Sequence, residues 1–343
     1  MKLFRSILAA LVTGLAIVGS AHASLTTFQQ FTGNVAVSTD GWGSTTQAGV
    51  ISANVPAGAT VLAAYLYTST FGNATLGGVG GTLAGANTVF TSLGTNAASC
   101  CALTAGRSDV TSIIKPLIDG GAGGLYNFNI TETSSSQDGA GLVVVYSLPS
   151  LAVSTVGILD GFASVTGDTT SIAFANPLDP TAAGFFAEMR LGIGFSYDGT
   201  PCGSDPTQTS RVAVNATTIT NNAGCNDDSA DSIAADGNLI TVGGDNDAFS
   251  PNLPSVEADQ ERYNLAQYFN TGDIAITVDT FNASNNDNIF LAVFHALGEA
   301  NVCQVRCEPP PTNVPEPMSL ALLGLGLAGL GVQRRFTQRA RRV

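Results

Sequence analysis

Short apolar stretches separated by turn residues are the dominant pattern along the middle of this chain. Residues 61–67 and 142–146 are continuous apolar runs with Gly, Ser or Pro nearby, and their length fits a fully buried strand. Between Met189 and Tyr197, apolar side chains take every second position, with mostly Gly or Ser between them. That period of two is typical of a strand with one buried face.

The same alternation recurs near the end of the body. Ile274, Ile276 and Val278 would share one face of a strand, and a second apolar stretch covers residues 289–295. The two stretches are separated by the Asn-rich segment 285–288, which has the composition of a turn. This arrangement predicts a β-hairpin.

Helical signals are few. Residues 110–117 have apolar positions at helical spacing, with Ser108 as a candidate cap, and residues 256–269 could follow a cap at Ser255. Many short strands with few helices predict an all-β body, built as an antiparallel β-sandwich or jelly roll.

The length of the body leaves its domain count open. A boundary near Pro149 would give an N-terminal sandwich at 24–149 and a second sandwich at 150–300, and a single large two-sheet domain is the alternative. Residues 301–314 form a Cys- and Pro-rich linker, in which the prolines favour an extended, semi-rigid spacer.

The N-terminus has the three parts of an export signal. Lys2 and Arg5 precede an apolar stretch at 7–18, and small residues end at Ala23, ahead of Ser24. Residues 1–23 therefore resemble a Sec signal peptide that forms an apolar helix and is cleaved between Ala23 and Ser24.

The C-terminus carries a second, longer signal, residues 315–343. It contains an apolar segment at 318–332, preceded by Val314, Pro315, Glu316 and Pro317 and followed by Arg334, Arg335, Arg339, Arg341 and Arg342. The prolines keep the first part out of a helix. The apolar segment has 15 residues, whereas about 20 span a bilayer core. The arginines favour retention on the cytoplasmic side.

These parts, in this order, resemble the PEP-CTERM sorting signal of bacterial envelope proteins. The resemblance implies an exported substrate of an exosortase, which would cleave the tail at the membrane. A permanent tail anchor is the alternative. The body also resembles β-sandwich surface proteins of unknown function that carry this tail, through residues 54–67, 141–146, 157–161 and 287–292.

Removing both end signals changes the charge of the protein. Two of the 13 basic residues lie in the signal peptide and five in the tail, and one of the 26 acidic residues is Glu316. The body thus keeps six basic and 25 acidic residues, a net charge of −19. Because nucleic-acid binding depends on neutralising phosphates with Lys and Arg, this surface excludes that class of partner.

All six cysteines lie in the exported part, and their even number predicts disulfide bonds. We expect one bond between Cys202 and Cys225 and another between Cys303 and Cys307. By elimination, Cys100 and Cys101 would form a bond between adjacent residues, unless one of them reaches elsewhere.

Acidic loops make calcium the one candidate cofactor. Oxygen ligands for calcium could come from Asp227, Asp228, Asp231, Asp245 and Asp247. No segment matches the EF-hand pattern, and the alternative explanation is that such residues simply favour turns.

His295 is the one histidine of the body and is expected to be a core or edge residue. Trp42 is either a core anchor or a glycan platform.

These features predict an exported, non-enzymatic envelope or extracellular-matrix protein associated with exopolysaccharide or biofilm. Its partners would be the Sec translocon, an exosortase and surface glycans, with transient association with the inner membrane and final location at the cell surface or outside the cell. A calcium-stabilised adhesion or glycan-binding module is the alternative, followed by a secreted hydrolase.

Overall fold

The computed structural model describes residues 24–43, 45–71, 76, 78–95, 103–164, 166–195, 210–221, 223–226, 228, 238–282, 288–304 and 306–310. Over these ranges the chain forms three antiparallel sheets and one α-helix, which confirms the predicted all-β sandwich class. No helix within them is both long and apolar enough to cross a membrane. The helices predicted for the signal peptide and for residues 318–332 lie outside these ranges.

The first sheet has eight strands, which come from one continuous part of the chain. They are β2 (Val35–Gly43), β3 (Ala48–Val55), β4 (Thr60–Phe71), β5 (Gly78–Leu83), β6 (Ala86–Thr95), β7 (Leu103–Asp109), β8 (Gly124–Glu132) and β9 (Gln137–Ser147). Their order is β2-β9-β4-β7-β6-β5-β8-β3, and α1 (Thr111–Ile118) joins β7 to β8. The sheet curls so that β3 and β8 pack over β4 and β9, forming the first sandwich.

The other two sheets form the second sandwich. The six-stranded sheet contains β1 (Thr26–Gly33), β10 (Ser154–Asp160), β12 (Ala187–Gly194), β15 (Thr241–Val242), β16 (Arg262–Asn264) and β18 (Asn288–Leu297). The five-stranded sheet contains β11 (Asp168–Phe174), β13 (Ser210–Val214), β14 (Thr217–Thr220), β17 (Ala275–Asn282) and β19 (Ala300–Gln304). Their orders are β1-β10-β18-β12-β15, with β16 beside β12, and β14-β13-β17-β11-β19.

The six-stranded sheet is covered on both faces. On one face Leu191 and Phe294 pack against Ile172 and Val278 of the five-stranded sheet, and the opposite face packs on β4 and β9 of the first sandwich. All described residues of β10 and β12 are therefore buried. The alternation after Met189 therefore does not mark a strand with one exposed face, because the glycine and charged residues between the apolar positions of β12 are buried as well.

The predicted hairpin between 274–278 and 289–295 is wrong. β17 pairs with β11 and β13, whereas β18 pairs with β10 and β12 in the other sheet. Ile276 and Val278 share a core with Phe294, so the two strands face each other across the sandwich. Alternation shows that each strand has a buried face, but it does not show which strand lies beside it.

The helix expected at 256–269 is also wrong. Only Val256–Ala258 and Ala266–Tyr268 form 3₁₀ turns, with β16 between them, and Ser255 makes no capping hydrogen bond. Asp259 is held by partners distant in sequence that a helix could not offer: its carboxylate accepts hydrogen bonds from Thr220 at 2.5 Å and from Ser250 at 3.0 Å. Tertiary hydrogen bonds here override local propensity.

The other predicted helix is present, but its start differs. α1 begins at Thr111 after Val110, which forms the N-cap without a side-chain hydrogen bond, and Ser108 lies in β7. The expected cap at Ser108 is therefore wrong.

The sheets do not fully follow the boundary expected near Pro149. All eight strands of the first sandwich precede that residue, but β1 does so too and pairs with β10 in the second sandwich. The faces of the two sandwiches also share a core that includes Tyr67 and Phe290. The division into two domains stays a prediction.

Candidate functional site

An acidic cluster lies where the first sandwich meets the second. It contains three of the predicted calcium ligands, Asp228, Asp245 and Asp247, together with Asp40 of β2. The sequence reading missed Asp40 because it precedes the other three by almost 190 residues or more. Asp227 and Asp231 lie outside the described residues.

A cavity of about 200 Å³ opens beside this cluster, between β2, β3 and the loop after β15. Its polar lining consists of Ser38, Thr39, Asp40, Ser52, Asn54, Asp245 and Asn246. Carboxylate, amide and hydroxyl groups of this kind suit either a hydroxyl-rich ligand or a hard cation.

Hydrogen bonds hold the carboxylates in place. Asp40 accepts the backbone N–H of Ser52 at 2.6 Å, and Asp245 accepts the hydroxyl of Ser38 at 2.6 Å. Asp247 accepts the backbone N–H of Gly244 at 2.5 Å. The side chains that line the cavity are thus preorganised by the strands and by their own loop.

Burial raises the pKa of Asp40, of Asp247 and, most strongly, of Asp228, and repulsion between these carboxylates adds to the effect. A bound cation would relieve that repulsion. Within the described residues, however, no three His, Cys, Asp or Glu side chains are grouped to hold a metal ion. Calcium at the predicted ligands therefore stays a prediction.

A buried ion network lies next to the cavity and links the two sandwiches. Arg190 of β12 donates to Glu188 at 2.9 Å, to Asp245 at 2.6 Å and to Thr39 of β2 at 2.7 Å. Arg262 donates to the other oxygen of Glu188 at 3.2 Å. The sequence carried one sign of this network: Glu188 and Arg190 are charged residues on either side of Met189 in an otherwise apolar strand.

The network controls the ionisation of Glu188. Although burial opposes charge, the nearby ring of His295 and the positive charges of Arg190 and Arg262 lower the pKa of Glu188 to about 2. Glu188 is therefore a carboxylate at any ordinary pH, and the network is a structural ion cluster.

Three residues of this region have the order of a catalytic triad. The Oγ of Ser154 lies 3.2 Å from Nε2 of His295, whose Nδ1 lies 3.6 Å from Oε1 of Glu188. Ser154 is fully buried, and its hydroxyl donates to the carbonyl oxygen of Val35 at 2.6 Å. A substrate could not reach this serine, so the arrangement fits the core role expected for His295.

The disulfide predicted between Cys303 and Cys307 is present, but the linker expected at 301–314 is wrong at its start, because residues 301–304 belong to β19. Cys303 and Cys307 are bonded, with their Cα atoms 5.8 Å apart, directly at the end of β19. Cys225 is also disulfide-bonded. Its predicted partner Cys202 lies outside the described residues, as do Cys100 and Cys101, so those two pairings stay predictions.

The two ends of the body lie together. The side chain of Gln30 in β1 bonds both the carbonyl oxygen of Ala300 and the N–H of Val302 in β19, each at 2.8 Å. Gln304 reaches Ser24, the first residue after the expected signal cleavage, at 3.2 Å. Ser24 and the end of β19 therefore lie at one corner of the body.

A protein-family model matches residues 313–335, which contain the Pro-Glu-Pro triplet and the apolar segment after it. The chain carries a PEP-CTERM protein-sorting motif. This motif indicates export through the Sec pathway to the cell surface and processing by an exosortase. The chain matches no curated protein and no solved structure. The sorting residues 314–317 and the arginines after residue 332 lie outside the described residues.

Proposed function

We propose that this chain is a non-enzymatic envelope or extracellular-matrix protein, which an exosortase releases from the inner membrane into an exopolysaccharide or biofilm layer. The sorting motif at 313–335 is the observation that carries the proposal. The net charge of −19 in the body supports it, because a strongly charged surface keeps an exported protein soluble and limits non-specific adhesion.

The position of the two ends supports this route. Before processing, the signal peptide and the tail would both hold the body at the corner formed by Ser24 and Gln304. The opposite end of the body would then point away from the membrane. Transient association with the inner membrane requires no apolar surface on the body itself.

Mass spectrometry of the C-terminus of the exported protein tests this proposal, with and without the host's exosortase. We expect a C-terminus near the Pro-Glu-Pro triplet in the wild-type host and the full tail in the exosortase-deficient host. Glu316→Gln should slow cleavage, whereas Glu308→Gln in the linker is the matched control. An intact tail ending at Val343 on the mature surface protein would overturn the processing step.

The polar cavity supports a second function, a surface adhesion or glycan-binding module. Its volume of about 200 Å³ and its lining of Ser, Asn and Asp side chains suit the hydroxyl groups of one sugar unit. We expect Asp40→Asn and Asn54→Ala to weaken binding of exopolysaccharide purified from the host, and Asp279→Asn, on β17 of the other sandwich, to leave binding unchanged. Equal binding by all variants would remove the cavity as the glycan site.

A further inference from the structure

Two carboxylates face the interior of the first sandwich at one end. Glu132 is the last residue of β8 and lies on the same face as Phe128 and Ile130, which belong to the core. Asp138 is the second residue of β9 and shares its face with Ala140 and Leu142 of that core. Since side chains alternate along a strand, both carboxylates extend the inner face toward the loops between the strands.

These carboxylates are not fully paired. One oxygen of Glu132, Oε1, accepts the backbone N–H of Gly139 at 3.0 Å. Within the described part of the chain, its other oxygen, Oε2, and Oδ2 of Asp138 are buried and have no hydrogen-bond partner. Glu132 is only 8% exposed. Buried carboxylate oxygens without partners are costly, so proteins normally satisfy them with donors or cations.

Basic side chains do not supply the missing partner. Among the described residues, the ion pairs of Arg107, Lys115, Arg190, Arg262 and His295 are all with other carboxylates. The exported body has only six basic residues for its 25 acidic ones. The positive charge at this position must therefore come from outside the chain, or the carboxylates must hold protons.

The backbone around the pair is rigid. Gly139 has a φ of +129°, and a Cβ there would lie 2.1 Å from the carbonyl oxygen of Trp42. The N–H of Gly139, which fixes Glu132, is therefore held close to β2. This constraint keeps the free oxygen of Glu132 directed at the interior, where repulsion from Asp138 acts on it.

We propose that Oε2 of Glu132 and Oδ2 of Asp138 together bind one hard divalent cation, Ca²⁺, at the loop end of the first sandwich. Two carboxylates supply two negative charges, which balance the ion, and backbone carbonyl oxygens or water complete its coordination. This site is distinct from the calcium ligands expected between Asp227 and Asp247 and does not depend on the proposed function.

Protons compete with the cation at this site. Burial, reinforced for Glu132 by repulsion from Asp138, raises the pKa of each carboxyl to about 8 when no cation is present. Ca²⁺ must displace these protons, so its affinity falls as the pH decreases below about 8.

Terbium luminescence can test the site because Trp42, the only tryptophan of the chain, lies beside it. Trp42 is opposite Ala140 in the β2–β9 ladder, two residues from Asp138, and packs partly buried against the same core. We expect exported protein freed of metal by chelator to sensitise bound Tb³⁺ through Trp42, and Ca²⁺ to displace it. Glu132→Gln and Asp138→Asn should each weaken Tb³⁺ binding at least tenfold.

Asp279→Asn, on β17 of the second sandwich, is the matched control and should leave the Trp42-sensitised signal unchanged. The double variant Glu132→Gln, Asp138→Asn removes two buried charges, so it should stay folded and lose the Ca²⁺-dependent rise in melting temperature. The proposal is overturned if the wild type gives no sensitised signal, if the signal survives in the double variant, or if Asp245→Asn with Asp247→Asn removes it, which would assign the signal to the other acidic cluster. A melting temperature of the metal-free protein that does not change when Ca²⁺ is added would also overturn the proposal. That result would indicate that the two carboxyl groups hold protons instead of a cation.

Discussion

Glu188→Gln offers the sharpest test of the ion network between the two sandwiches. Glu188 is 8% exposed, and both of its oxygens accept hydrogen bonds from arginine, Oε1 from Arg190 and Oε2 from Arg262. Glutamine has nearly the same shape but no charge. The substitution therefore removes the charge and leaves the packing of the strand almost unchanged.

The expected loss follows from the pKa of Glu188, which the fold lowers from 4.5 to about 2. At about 1.36 kcal/mol per unit, this shift corresponds to about 3 kcal/mol of folding free energy at neutral pH. A folded-state pKa below the unfolded one gives stability that is present above the unfolded pKa and is lost as the pH falls toward the folded pKa. The contribution of Glu188 should therefore decline from about pH 4.5 to about pH 2.

Urea unfolding of the exported protein at several pH values measures this contribution. At pH 7 we expect Glu188→Gln to unfold with about 3 kcal/mol less free energy than the wild type, and at pH 3 the difference should shrink to about 1.4 kcal/mol. Glu257, which is exposed, provides the control: Glu257→Gln should leave the free energy of unfolding unchanged at both pH 7 and pH 3. A difference that stays constant from pH 7 to pH 3 would indicate a packing defect and would refute the electrostatic explanation. No difference at either pH would refute the role of the network itself.

Three further tests, each with its own variants, examine other parts of the fold by urea unfolding. Gly123 and Gly85 have similar positive φ values, +77° and +82°, but a Cβ at Gly123 would lie 2.1 Å from the backbone nitrogen of Ala57, whereas the space at Gly85 is open. Gly85→Ala should cost about 1 kcal/mol and Gly123→Ala at least about 3 kcal/mol, and equal losses would contradict the close approach of Ala57. The carboxylate of Asp259 accepts hydrogen bonds from the hydroxyls of Thr220, Ser250 and Tyr263. Asp259→Ala removes all three and should lower the free energy of unfolding by about 3 kcal/mol. Tyr263→Phe removes only one and should lower it by about 1 kcal/mol. Replacing Cys303 and Cys307 together by Ser should lower the free energy of unfolding by about 2 kcal/mol, since the unfolded chain loses a short closed loop, and no change would show that β19 is held by its strand partners alone.

Sequence patterns correctly predicted the features that depend on residues close together in the chain. The apolar runs at 61–67 and 142–146 lie in strands β4 and β9, and the alternation after Met189 belongs to β12. The bond between Cys303 and Cys307 was also predictable, because four positions of separation leave the two thiols close together. In each case the predicted feature depends on residues that are close together in the chain, or on whether a side chain is removed from water.

The candidate sites were less accessible to such reasoning. Asp245 and Asp247 drew attention as loop carboxylates, but Asp40, which faces the same cavity, gave no local sign of joining them. Glu132 and Asp138 sit on either side of a short turn, and their burial depends on how the first sandwich curls over its own core. Because Asp and Glu are mostly exposed in proteins, a sequence alone predicts that such carboxylates lie at the surface. Only the fold shows which of them are buried.

By itself, the sequence determined the β-rich class, the sorting motif at residues 313–335 and the acidic character of the body. Each of these depends on composition or on residues close together in the chain. Only the tertiary structure decided that β17 and β18 face each other across a core, and that Ser38 meets Asp245 across 207 positions of sequence. The physical reason is that burial leaves a local periodicity in the sequence, whereas strand pairing and charge pairing between distant segments form only when the whole chain packs.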